Sequence, residues 1–335
     1  MKKNKKTIII TGATGFVGSH MADYLVKNKN LKIYCTKRYH LSKTKFIKNF
    51  YTDVIWKDCD ITDPIATDYL IKKIKPNLVL HFAAESFVSP SWLHPNRYMA
   101  VNYNGTINLL NSIKNHSPKT KILIPGSGEE YGDLPKSQIP INEYTILNPV
   151  NPYAVTKIAQ DLIGYVYYKS YNLNVIRCRT FNHEGPRREN VFGISSYAYQ
   201  IARIENNLQE PIILVGDLSD KRNFTHVFDI VRAYWLAINK CIPGELYLIG
   251  NQNKNSIFSF EEALKKLMKM SFVKSIKIKK YNPFVRPTRV SRLIIKSNKF
   301  ENLTGWKATT SFNSILQDTL EYWRSEIKKG SINLY

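Results

Sequence analysis

Tyr153 and Lys157 stand four residues apart in Tyr153-Ala154-Val155-Thr156-Lys157, the spacing that puts a phenol and an amine on one helix face. An ammonium near a phenol favours phenolate. The pair is therefore expected to draw the Tyr153 pKa toward neutral pH and to exchange a proton with a substrate hydroxyl. Ser127 follows the short apolar run 121–125 and is a candidate third member at a strand end. Tyr-x-x-x-Lys recurs by chance in unrelated chains, so its meaning depends on the elements around it.

Those elements begin with Thr11-Gly12-Ala13-Thr14-Gly15-Phe16-Val17-Gly18, which follows an apolar strand and opens a helical stretch. Glycines at G-x-x-G-x-x-G spacing permit a tight turn and a close backbone approach to a pyrophosphate, and the helix N-terminus favours the anion. Gly12, Thr14, Gly15, Phe16 and Val17 are thus candidate dinucleotide contacts. The second strand ends in Thr36-Lys37-Arg38, where an acid would accept from ribose hydroxyls. Two cations there suit a 2′-phosphate, so NADP is expected over NAD. Asp60 and Ile61, after the third strand, are placed to meet the adenine.

Strands are expected at 7–11, 32–35, 54–56, 78–81, 121–125 and 175–179, with helices near 15–27, 65–74, 97–114 and 153–171. Short apolar runs alternating with helices predict a Rossmann-type, doubly wound parallel sheet covered on both faces, with Ser127 at its carboxyl edge beside the nicotinamide. After Arg179 the alternation loosens, with helices at 227–239, 259–270 and 311–328 and a short strand at 275–279. The expected division is a dinucleotide-binding domain, 1–180, and a smaller C-terminal mixed α/β lobe, 181–335, with some exchange of chain between them.

Composition narrows the classes. The chain has 335 residues, 43% of them hydrophobic, which supports a sizeable core and excludes a composition-driven disordered chain. Cys35, Cys59, Cys178 and Cys241 lie far apart, which speaks against a disulfide scaffold or a Cys-based zinc site and suits a reducing cytoplasm. His81 and His183 lack partners at metal-ligand spacing, so no metal is expected. No apolar run reaches the roughly 18 residues of a membrane span. The net charge of +23 invites a polyanion-binding reading, and residues 265–299 carry twelve Lys/Arg and no acid. That stretch reads as helix end, short strand and loop with little aromatic interleaving, so a solvated surface is favoured over nucleic-acid binding.

From about residue 7 to 325 the chain resembles the extended short-chain dehydrogenase/reductases, and within them GDP-mannose 4,6-dehydratases and GDP-4-keto-6-deoxymannose reductases. The resemblance rests on residues 11–18, Asp60-Ile61-Thr62-Asp63, His81-Phe82-Ala83-Ala84-Glu85-Ser86, Gly126-Ser127-Gly128-Glu129-Glu130-Tyr131-Gly132 and Asn151-Pro152-Tyr153 through Lys157. Asn182-His183-Glu184-Gly185-Pro186-Arg187-Arg188, Lys221-Arg222 and Arg286-Pro287-Thr288 extend it into the C-terminal part. It implies Ser127, Tyr153 and Lys157 as the catalytic triad and Glu129 as the base that dehydratases use. It further implies cofactor contacts from Ala83, Tyr153 and Lys157, and nucleotide-sugar contacts from Ser86, Asn182, Arg187, Arg222 and Arg286. Helices 97–114 and 153–171 are implied to pair across a homodimer, or within a tetramer, as a four-helix bundle.

The implied activity is 4,6-dehydration of a GDP-linked sugar with NADP as cofactor. Related reductases also carry a Ser-x-Glu-Glu-Tyr-Gly segment, so a 4-keto-6-deoxy sugar reductase or an epimerase stays open, as does a non-enzymatic polyanion-binding protein on the same fold. Arg289 after Arg-Pro-Thr, Gly128 beside Ser127, Glu85 and the absence of a lysine after Arg188 depart from the dehydratase pattern. They point away from plain mannose, toward a heptose or an N-acetylhexosamine.

Overall fold

The computed structural model describes residues 5–330 apart from Lys43. In chain order the strands are β1 (Lys6–Thr11), β2 (Leu31–Lys37), β3 (Ile55–Asp58), β4 (Leu78–His81), β5 (Lys121–Ser127), β6 (Asn174–Thr180) and β7 (His183–Glu184). Then come β8 (Ile212–Val215), β9 (Lys221–Asn223), β10 (Thr225–His226), β11 (Leu246–Ile249), β12 (Ile257–Ser259), β13 (Lys277–Lys280) and β14 (Arg292–Leu293). The helices are α1 (Phe16–Leu25), α2 (Pro64–Ile74), α3 (Pro95–Tyr98), α4 (Gly105–His116) and α5 (Pro152–Tyr171). They continue with α6 (Gly193–Glu205), α7 (Val227–Lys240), α8 (Phe260–Met270), α9 (Lys299–Thr304) and α10 (Phe312–Lys328).

Seven parallel strands form the main sheet in the order β11-β6-β5-β4-β1-β2-β3. The order reverses between β1 and β4, and such a switch point opens a crevice at the carboxyl edge. Strand alternation decides which face each residue serves. Ile8 and Ile10 of β1 join the core under α1 and α7, while Ile9, between them, joins the opposite core with residues of α2, α4 and α5. Both faces are therefore dry, which explains the continuous apolar run of β1.

Local signals set the helices that carry chemistry. Asn151 caps α5 by accepting from Ala154 N at 2.8 Å, and Pro152 occupies the first turn. Asn172 ends α5 in the left-handed region at φ 52°. The stretch expected as one helix over 97–114 is instead α3, a π-helical segment Met99–Asn104 and α4.

Beyond β6 the chain builds a second core from α6, α8 and α10, with Ile201, Leu264, Leu267, Ile315 and Leu316 all buried. A three-stranded sheet, β12-β9-β14, and the parallel pair β13-β8 accompany it. The sequence reading passes over β7 to β12, β14, α6 and α9, and two of these stand out. β11 is only four residues long and returns to the main sheet beside β6, and α6 begins after Phe192 without a side-chain cap. β11 offers neither cap nor alternation, and α6 offers no cap, although Ile194, Tyr197, Ala198, Ile201 and Ala202 recur at helical spacing. Among the described residues no helix is long and apolar enough to cross a membrane, and no group of His, Cys, Asp or Glu is arranged to hold a metal ion.

Candidate active site

The glycine turn is shaped for close approach. Gly12 has φ +65°, and a Cβ there would lie 2.6 Å from Ala83 N; one on Gly18 would lie 2.2 Å from Gly12 O. The loop thus packs on the end of β4 with no room for side chains. The first turn of α1 holds no acid, so its amides keep their positive end toward the crevice. Thr14, Gly15, Lys37, Arg38, Asp60, Ile61 and Ala83 line one cavity of about 220 Å³ there. Lys37 Nζ is 4.0 Å from Asp58. Burial opposes ionisation of Asp60, but hydrogen bonds from Thr62 N and Oγ1, at 2.9 and 2.8 Å, hold its carboxyl below the usual range. This cradle fits a dinucleotide, with cations rather than an acid at the end of β2.

A second cavity of about 250 Å³ continues from Gly15, Phe16 and Val17 to Ser127, Glu129, Tyr153 and Lys157. β5 delivers Ser127 to the carboxyl edge, where it starts the 3₁₀ turn Gly128–Tyr131. Ser127 Oγ accepts from Glu129 N at 3.2 Å, and its own amide donates to Glu130 Oε1 at 2.7 Å. That capping box fixes the turn and commits Glu130, which lies fully buried against Arg179 at 2.7 Å, to structure. Glu129 faces the other way. Asn151 Nδ2 donates to it at 3.1 Å and Arg286 lies 3.9 Å away, so the residue that caps α5 also aims this carboxylate.

Tyr153 is 8% exposed and lines the cleft together with Ser127. Its pKa departs from the sequence expectation. Burial pushes the phenol up, outweighing the nearby Ser127 hydroxyl and the Arg188 charge that oppose it. Lys157 does not offset this, because its ammonium is turned to Pro125 O, at 2.6 Å, and to Gln160 Oε1. Burial in turn draws the Lys157 pKa down, against Glu130 and Asp161.

Of the expected sugar-nucleotide contacts, Ser86, Asn182 and Arg286 line this cavity; Arg187 and Arg222 do not. Arg187 adopts φ +68°, turns to Asp23 of α1 at 2.5 Å and lines a different, larger cavity of about 1460 Å³, away from the triad. Arg222 is buried and donates to Lys221 O at 2.9 Å and to Val290 O at 2.7 Å, so its guanidinium is used within the fold. The neighbouring Arg188 does face the cleft, 3.5 Å from the Phe192 ring centroid and 5.0 Å from that of Phe16. His183 stacks on Phe16 with ring centroids 5.8 Å apart, and burial lowers its pKa to about 4. Phe192 carries no motif signal, and only its position ahead of α6 brings it here.

A switch-point dinucleotide cradle joined to Ser127, Tyr153 and Lys157 at the sheet edge defines a protein of the short-chain dehydrogenase/reductase type. The family model described as GDP-mannose 4,6 dehydratase matches residues 9–319, and the chain belongs to that family. It is 26% identical to GDP-6-deoxy-D-mannose reductase of Pseudomonas aeruginosa over 96% of this chain and 98% of the relative. It is 30% identical to GDP-mannose 4,6-dehydratase of Vibrio cholerae, over 73% of this chain and 67% of the relative. Among solved structures, RMD from Pseudomonas aeruginosa complexed with NADPH superposes with a TM-score of 0.82 at 27% identity, covering 96% of this chain and 100% of that one. UDP-glucose 4-epimerase of Thermotoga maritima shares the fold with a TM-score of 0.84 at 24% identity, covering 96% and 99%.

Proposed function

We propose that the chain is an NADP-dependent nucleotide-sugar 4,6-dehydratase that converts a GDP-linked sugar to its 4-keto-6-deoxy product with loss of one water. The observation that carries this reading is Glu129, a carboxylate held by Asn151 in the same cavity as Ser127 and Tyr153. Dehydration needs a group beyond the triad to take the C5 proton, and Glu129 is held where it can do so; related reductases carry the same segment, so the product of turnover separates the two activities. The nicotinamide of a dinucleotide held in the cradle of Gly12, Gly15, Lys37 and Arg38 would accept hydride from C4 and return it at C6, so no net redox would result.

The protein's own part is proton transfer and placement. Tyr153, beside Ser127 in the cleft, takes the proton of the C4 hydroxyl as phenolate; burial favours its neutral form, so this step needs the positive charge that the third N–H of Lys157 and an oxidised nicotinamide would bring to the phenol oxygen. Glu129 removes the C5 proton, made acidic by the adjacent ketone; the C6 hydroxyl departs as water with the proton Tyr153 took from C4, and C5 regains its proton from Glu129 as hydride adds at C6. Arg286, beside Glu129, and Arg188, on Phe192, supply positive charge for a diphosphate or a developing oxyanion. Lys37 and Arg38 support NADP over NAD, and NADPH accompanies the Pseudomonas aeruginosa structure.

The second reading, a 4-keto-6-deoxy sugar reductase, is favoured by the Pseudomonas aeruginosa relative, 98% of which aligns with this chain. Incubating purified protein with NADP⁺ and a panel of GDP-, UDP-, CDP- and dTDP-sugars, read by mass spectrometry, separates the two and names the base. A heptose or N-acetylhexosamine belongs in the panel, because Glu85 and Arg289 depart from the dehydratase pattern; Gly128 opens no extra space, since the Phe181 ring lies 3.2 Å from where its Cβ would stand.

We also infer a homodimer through α4 and α5, in a cytoplasmic protein. Val155, Leu162 and Val166 lie on one side of α5 and are 45%, 46% and 46% exposed, an apolar stripe that a second copy would cover.

A further inference from the structure

The buried contacts behind Lys157 all run in one direction. Thr106 Oγ1 donates to Asn102 O at 2.7 Å. A hydroxyl has a single proton, so this oxygen must accept from its other two neighbours, Gln160 Nε2 at 2.8 Å and His81 Nε2 at 3.0 Å. Gln160 therefore has its amide nitrogen committed and presents its carbonyl oxygen to the Lys157 ammonium. His81 carries its proton on Nε2, which leaves Nδ1 to accept from Thr11 Oγ1 at 2.8 Å. The Thr11 oxygen then accepts from the Ala83 amide at 3.2 Å. One backbone carbonyl in the π-helical segment thus orients a chain that crosses α4, α5, β4 and β1 and ends at the dinucleotide loop.

Every side chain in it is buried, so water does not compete for these partners. Gln160 Oε1 and Pro125 O can only accept, and both demand N–H donors on Lys157. An ammonium meets them and keeps a third N–H for the cleft that Lys157 lines. The charged surroundings are defined. Glu130 on the 3₁₀ turn and Asp161 one turn along α5 favour the ammonium, and both are paired to Arg179 of β6. His81 of β4 stays neutral, its pKa lowered to about 3 by burial and by Lys157. The Tyr153 phenol lies one turn back on α5. Burial itself works against the charge on Lys157.

We propose that Gln160, oriented by Thr106 and His81, is a positioning residue that keeps Lys157 an ammonium and aims its remaining N–H into the cleft. The importance of this arrangement rests on the reading of Lys157 as part of the proton-transfer site, but its test does not. The experiment is a pH titration of protein carrying ¹³C-labelled lysine, followed by NMR, with Lys157→Met identifying the Lys157 signal. Gln160→Met, similar in size but without acceptor or donor, should lower the Lys157 midpoint by about one pH unit, the loss of one charge-assisted hydrogen bond. Thr106→Val should move it in the same direction, while Thr106→Ser, which keeps the hydroxyl, should leave it in place. If Gln160→Met does not fold, the Thr106 pair makes the comparison alone. A midpoint unmoved in Gln160→Met, or in Thr106→Val where that variant must stand alone, overturns the proposal, because a merely structural role lowers melting temperature without shifting a lysine titration. Neither result depends on which sugar is turned over.

Discussion

Glu129 and Glu130 are adjacent, identical in type and opposite in fate. The Ser127 amide and Arg179 consume Glu130, while Asn151 turns Glu129 into the cleft. Glu129→Gln keeps the size and loses the base, so C4 oxidation should stay measurable as cofactor reduction while water loss disappears. Unchanged dehydration in that variant would remove Glu129 from the mechanism. Arg187 and Arg188 show the same contrast and mark where reading residues one by one stops. The left-handed backbone at Arg187 sends one guanidinium to Asp23 and leaves the other on Phe192. No feature of the dipeptide itself says which arginine faces the site. Tyr153 and Ser127 were legible because motif and strand end coincide, but the direction of the Tyr153 pKa was not, since it follows from burial. Lys37→Ala with Arg38→Ala should weaken NADP binding in a fluorescence titration by tenfold or more, roughly the loss of two exposed ion pairs to a phosphate, and spare NAD. An equal loss for both dinucleotides would contradict a 2′-phosphate role.

The helices carry a second set of dependencies. Asn151 both caps α5 and anchors Glu129, so Asn151→Ala should cost about 1 kcal/mol of stability in denaturant unfolding. It should also slow dehydration more than C4 oxidation. Asp229 of α7 ties down the approach to α10 by accepting from Thr309 N and Thr310 N at 3.1 and 3.0 Å. Burial would raise its pKa, but these bonds and Arg232 hold the carboxyl below its ordinary value. A depressed folded-state pKa contributes stability that is present above the unfolded value, about 4, and is lost as pH falls through the folded one. Asp229→Asn should therefore narrow the gap to wild type in melting temperature below about pH 4 and widen it at neutral pH; a gap that does not change with pH would contradict this. The strands of the first half were readable because each is an apolar run between helical stretches. β11 and α6 are harder to read, for β11 is a four-residue apolar run outside the regular alternation that pairing with β6 identifies, and α6 carries helical apolar spacing without a cap to mark its start.

Across the whole molecule, the +23 charge has two kinds of account. Some cations are built into sites or the core, as with Lys37, Arg188, Arg222 and Arg286. The exposed lysines of β13, Lys277, Lys279 and Lys280, sit on a two-stranded sheet, where charge discourages edge-to-edge pairing. The α5 stripe makes a further prediction at this level. Light scattering on purified protein should give a dimer or a multiple of it, and Leu162→Glu should shift it toward monomer; a wild-type monomer at micromolar concentration would contradict the α4–α5 interface.

The central claim is dehydration without net redox, and mass spectrometry of one reaction tests it most directly. Purified protein, NADP⁺ and the GDP-sugar selected from the panel are incubated with no reductant. The account predicts a product lighter by one water, with the cofactor returned to NADP⁺ at the end of turnover. Absence of that product across the panel, with stoichiometric NADPH oxidation when a 4-keto-6-deoxy sugar nucleotide is supplied, would contradict it and establish the reductase instead.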